Sequence, residues 1–137
     1  MEPVLNSFLA GFPVFITHFA LTAVLLFVGA IVYHAITPHH EMRLIREGNV
    51  AAAISLGGMA LGLALPLAVS LANSVTLFDI LIWGVVALVI QLIIYFAIDL
   101  LLSGLSKRIE DGQVAAAILL ATVKISIAAI NAAALSG

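Results

Sequence analysis

The side chains best placed to do chemistry are few, because only 9% of the 137 residues are charged. Lys124 stands in the middle of "LLATVKISIAAINAA" (119–133), a run otherwise built of aliphatic and small residues. A full charge in such surroundings marks either a proton, ion or small-anion path or a polar contact that fixes helix register. Gln91, Thr22, Asn131 and His18 also sit in apolar runs and are candidates to gather with it. Counted from the polar connections, Lys124 and Gln91 each lie about 12 residues in, roughly 18 Å deep, so they are expected at one level near a bilayer midplane. Asp99 and Asp79 fall near opposite ends of their run, each more than about two helical turns from that level, so neither is the expected counter-charge. Lys124 is instead expected to bond Gln91, Thr22 or backbone carbonyls, to give up its proton, or to meet water in a cavity.

Helical spacing puts Gln113, Ala117, Ala121, Ala128 and Asn131 on the face of Lys124, Gly84 and Tyr95 with Gln91, and Thr22, Gly29 and Tyr33 with His18. His39, His40 and Glu41 invite a metal reading. Adjacent histidines point in different directions on a helix, however, and with Cys 0 the expectation is an ordinary wet loop and no metal. No nucleophile and base, no Gly-rich phosphate loop and no basic surface stand out, so neither an enzyme nor a nucleic-acid partner nor a cofactor is expected.

What positions these groups is a membrane. A hydrophobic content of 64% and a mean hydropathy of +1.29 leave room for a single membrane domain over residues 1–137 and nothing besides. Four apolar stretches, Pro13–Thr37, Asn49–Leu71, Leu77–Ser103 and Gln113–Leu135, predict an all-α protein of four transmembrane helices. No Lys or Arg precedes Arg43, so the N-terminal stretch is expected to be retained rather than cleaved as a signal peptide. Arg43 and Arg46 lie in the first connection (38–48), Lys107 and Arg108 in the third (104–112). The positive-inside rule then puts both connections in the cytoplasm and both termini outside, N-out/C-out. The first connection reads equally well as a solvated loop or as a short interfacial helix opened by Pro38, with Met42, Leu44 and Ile45 dipping into the headgroups.

The second and fourth spans open on one phrase, "IREGNVAAAI" (45–54) and "IEDGQVAAAI" (109–118), and "IVYHAIT" (31–37) resembles "IIYFAID" (93–99) upstream. The expected unit is a helical hairpin duplicated in tandem, residues 8–72 and 73–137 approximately, both copies entering the membrane the same way. Gly48 and Gly112 suit tight turns, with Asn49 and Gln113 placed to satisfy free backbone groups. Gly57, Gly58 and Gly62 in "GGMALG" (57–62), with Ala117, Ala121 and Ala128, form small-residue faces for close helix approach. The repeat aligns Gln91 and Lys124 with Gly29 and Ala60, so the two halves are expected to be alike in shape and unequal in chemistry.

The stretch "TPHHEMRLIREGNVAAAISLGGMALGLALPLA", the "IWGVVALVIQ" of the third span and the late "NAA" (131–133) resemble the YjfL family of bacterial inner-membrane proteins, classed as a domain of unknown function. The resemblance covers nearly the whole chain and implies a multi-pass inner-membrane protein of paired two-helix units, with no activity attached. Two functions follow as expectations. The first is a non-enzymatic, homo-oligomeric membrane component of an envelope or stress-related assembly, docking through loops 38–48 and 104–112. The second is a small channel or transporter for protons or a small ion with its site at Lys124 and Gln91.

Overall fold

In the computed structural model, which describes residues 1–37 and 41–136, the regular structure is all helical: α1 (Glu2–Ile36), α2 (Glu41–Arg46), α3 (Val50–Asn73), α4 (Leu77–Leu101), α5 (Ser103–Glu110) and α6 (Val114–Ser136). Helices α1, α3, α4 and α6 are each long and apolar enough to cross a membrane. Each half of the chain thus runs long helix, short helix, glycine turn, long helix.

Local chemistry sets the boundaries. At both glycine turns the chain passes through positive φ, +87° at Gly48 and +84° at Gly112, where a side chain is disfavoured. The N–H of Gly48 bonds Ile45 O and that of Asn49 bonds Leu44 O; Gly112 and Gln113 repeat the pattern onto Ile109 O and Arg108 O. These are helix-terminating Schellman turns. Asn49 then caps α3, its side-chain oxygen accepting from the Ala52 N–H at 3.0 Å, while its amide nitrogen donates to Ile109 O and Glu110 O in the second turn. Helix α4 opens with a capping box in which Thr76 and Asp79 each accept the other's backbone N–H. Space is open around both turn glycines. Gly48→Ala or Gly112→Ala should therefore lower stability through the backbone alone, by about 1–2 kcal/mol. Gly104, which has neither positive φ nor a close neighbour, supplies the neutral control, Gly104→Ala, in thermal unfolding of the detergent-solubilised protein.

Two elements differ from the sequence expectation. Helix α1 starts at Glu2 rather than Pro13. Pro3 suits a first turn, and at Pro13 the helix continues, with the Thr17 hydroxyl donating to the Pro13 carbonyl at 2.9 Å. Helix α3 likewise runs unbroken through Pro66. The third connection, expected as a loop, is mostly the helix α5: Leu102, Leu105 and Ile109 recur at helical spacing and pack inward, with Lys107 and Arg108 outside. In the first connection, α2 lays Leu44 and Ile45 against the core and turns Met42, Arg43 and Arg46 outward. Pro38, His39 and His40 lie outside the described residues.

The most extensive helix contact joins α3 and α6. A Cβ placed on Gly58 would come within 2.5 Å of the Ala121 Cβ, and Ala117 and Ala128 are wholly buried. Gly62 leaves space for the Tyr95 hydroxyl, whereas Gly57 faces outward with open space around it. The small faces, except at Gly57, are thus spent inside the chain rather than left for a second copy. Helix α4 packs on this pair, and α1 lies on α3 and α4, with Leu25 against Gly84 and with Leu88 and Leu63 against Gly29.

Candidate functional site

Three helices bring one titratable or polar group each to a buried point. The Lys124 ammonium of α6 lies 3.0 Å from Asp99 Oδ1 of α4 and donates to the Tyr33 hydroxyl of α1 at 2.6 Å. That hydroxyl in turn donates to Asp99 Oδ2 at 3.3 Å, closing the ring. Tyr33 and Tyr95, the tyrosines matched in "IVYHAIT" and "IIYFAID", meet edge to face with centroids 5.4 Å apart. Both rings face the ammonium, at 4.8 and 5.0 Å. Tyr95 is held by donating to the Met59 carbonyl at 2.8 Å. A lysine deep in a span costs at least about 2.5–3.5 kcal/mol on insertion scales; a carboxylate, a hydroxyl and two ring faces supply its compensation.

The absence of a carboxylate near Lys124, expected from the sequence, is thus overturned, and the reason is side-chain reach. The tight 74–76 turn and the contact of Leu67 with Gly84 set α4 against α3, and Gly58 against Ala121 sets α3 against α6; together they leave Lys124 about level with Gln91. Cβ atoms lean toward their own helix N-terminus, so in antiparallel α4 and α6 the Asp99 and Lys124 side chains lean toward each other along the bundle. Both observed pairs, Asp99 with Lys124 and Gln91 with Asn131, bridge such an offset of seven or eight residues, about 11 Å at 1.5 Å per residue.

The expected midplane cluster therefore divides. Asn131 Nδ2 donates to Gln91 Oε1 at 3.0 Å, both side chains buried. Thr22 is half-buried and bonds the His18 carbonyl on its own helix. His18 is likewise half-buried, and no contact of its imidazole with Lys124 is seen. Gln113 lies exposed at its turn, accepting from Arg108 at 2.6 Å. Of the aligned positions, Gly29 is packed and Ala60 is exposed. Asp99, Tyr33 and Tyr95 were not among the candidates. The signal that could have found the tyrosines is their matched place in the repeat, one residue type kept where the chemistry of the halves otherwise differs.

Lys124 is 1% exposed and Asp99 23%. The carboxylate opens into a cleft of about 540 Å³ at the α2/α5 end, lined by Tyr33, Phe96, Ser103, Ser106, Lys107 and Glu110 among others. A proton or cation entering there meets a carboxylate already engaged by a tethered ammonium.

The family model for a Domain of Unknown Function, DUF350, matches residues 7–135, which include every member of this site. The chain belongs to the DUF350 family. It is 35% identical over 130 residues to the UPF0719 inner membrane protein YjfL of Escherichia coli strain K12, covering 95% of this chain and 96% of that one, with the same figures for the protein of strain O157:H7. No solved structure matches. As a DUF350 protein with four membrane-capable helices, the chain is a multi-pass protein of the inner membrane.

Proposed function

We propose that this DUF350 protein is a non-enzymatic membrane protein that handles protons or a small cation at Asp99, with Lys124 as the built-in competitor. The observation that carries this reading is the buried Lys124–Asp99 pair, sealed on the lysine side and open to a cleft on the carboxylate side. In lipid an ionisable pair is costly and usually marks an ion or proton path. An entering proton or cation would bind Asp99 by releasing the ammonium, which keeps its bond to the Tyr33 hydroxyl. The matched glycine turns, paired tyrosines and common element order support a duplicated hairpin. The basic residues of α2 and α5 support a cytoplasmic position for the cleft, with both termini outside. The test is flux: full-length protein in sealed liposomes with an internal pH dye, driven by a potassium diffusion potential, should move protons, and Asp99→Asn should return flux to the protein-free level. Wild-type protein that moves none of H⁺, Na⁺ and K⁺ sinks the proposal.

A second reading, a component of a larger assembly, is favoured by α1. Its contacts put Leu25 beside Gly84 of parallel α4, so about sixteen residues, roughly 24 Å, run past the start of α4. They carry most of a stacked aromatic ladder, Phe8, Phe12 and Phe15, which continues to Phe19, all exposed in this chain. That ladder, with the 38–48 and 104–112 segments, would be the docking surface. Native mass spectrometry from nanodiscs showing a bare monomer would count against it.

A further inference from the structure

Among the described residues two buried side-chain atoms find no hydrogen-bond partner: Gln91 Nε2 and Ser70 Oγ. Gln91 is wholly buried; its oxygen accepts from Asn131, and its amide nitrogen lies near the Tyr95 hydroxyl without making a well-formed hydrogen bond. An unsatisfied amide in the core of a membrane protein is costly, and a trapped water is the usual remedy. Ser70 is 4% exposed and lines a second cleft, about 360 Å³, at the end of the bundle opposite α2 and α5. Asn73, Ser74, Asp79 and Ser136 give that cleft polar walls. The two orphaned groups are close in level. Helices α3 and α6 run parallel in contact at Gly58 and Ala121, which places Ser70 beside Ala133, about 3 Å along the axis from Asn131.

We propose that water enters from this second cleft, bonds Ser70 Oγ and reaches Gln91 Nε2, forming a wetted half-path into the bundle from the side opposite the Asp99 cleft. The path ends at Tyr95. That residue lies one turn from Gln91 on α4, with its ring against the ammonium and its hydroxyl tied to Met59. The ion pair is then approached by water from both ends, and the Tyr33–Tyr95 edge contact is the barrier between them. The purpose given to the path rests on the ion-handling reading above; its existence does not.

The sequence makes the test clean, because Gln91 and Gln113 are its only glutamines and it contains no cysteine. In full-length protein labelled with side-chain ¹⁵N-glutamine in lipid nanodiscs, the Gln91 amide should show a water-exchange cross-peak, and Ser70→Val should weaken it. Separately, Ser70→Cys, nearly isosteric, should react with a small charged methanethiosulfonate added from the Asp79 side of sealed vesicles, while Ala128→Cys in the wholly buried core should not. A Gln91 amide without water contact, beside a Gln113 amide that exchanges, overturns the path, as does a Ser70→Cys variant whose thiol is unreactive from the Asp79 side. A wet Gln91 in protein that moves no ion overturns the ion-handling reading and leaves the path standing. A dry Gln91 in protein that does move protons does the reverse.

Discussion

Asp99→Leu should lower stability by about 5 kcal/mol and Lys124→Met by about 3 kcal/mol; removing one partner of a buried pair strands the other. The order follows from exposure. Without Asp99 the ammonium, 1% exposed, keeps the Tyr33 hydroxyl and two ring faces but no counter-charge. Without Lys124 the carboxylate still reaches water in its cleft and still accepts from Tyr33. The double change Asp99→Leu/Lys124→Met should recover most of the loss, since replacing both members of a buried pair with apolar groups is often nearly neutral. Reversible unfolding in mixed micelles measures all three, and the double-mutant cycle isolates the pair. Additive losses would mean that the two side chains do not compensate each other.

The second large effect lies in packing. Gly58→Ala places a methyl 2.5 Å from the Ala121 Cβ and 2.8 Å from its Cα, and neither atom belongs to a flexible side-chain end that could swing away. Helices α3 and α6 must part, at a cost of about 1–3 kcal/mol typical of overpacking. Because α3 and α6 form the most extensive contact between the two halves of the chain, Gly58→Leu should prevent folding altogether. Gly57→Ala, one residue away, meets open space and should be neutral or slightly stabilising through helix propensity alone. Parallel thermal scans of the two alanine variants check the contrast; equal effects would show that α3 does not present Gly58 to α6.

How much of this was legible in the sequence follows from which signals act locally. The four spans, Asn49 and the glycine turns were readable, because apolar length and a capping or positive-φ requirement are properties of short segments. The 35 residues of α1 were not, since a proline inside a membrane helix breaks it less than one in water. Helix α5 was not legible: the eight residues of "SGLSKRIE" carry a helical apolar stripe too short to stand out among glycine and charge. Nor were the partners of Lys124 and Gln91, because long side chains lean along the bundle away from the level of their own backbone: Gln91 meets Asn131 rather than Lys124, and Asp99, two turns away on α4, is the lysine's counter-ion. The inward faces of α4 and α6 were legible, because 3.6-residue periodicity fixes which side chains face in; it does not fix how far they reach along the axis.

The partner that Lys124 meets on α4 therefore decides the site, and it is directly measurable. Lys124 shares its residue type only with Lys107, and Asp99 only with Asp79 and Asp111, so selective labelling leaves few pairs to resolve. In lipid bilayers, dipolar recoupling between lysine ¹⁵Nζ and aspartate ¹³Cγ should give one strong coupling, Lys124 to Asp99, matching the 3.0 Å contact, and Asp99→Asn should abolish it. A Lys124 Nζ uncoupled to Asp99, and coupled instead to the ¹³Cδ of Gln91, would contradict the ion pair and the site built on it.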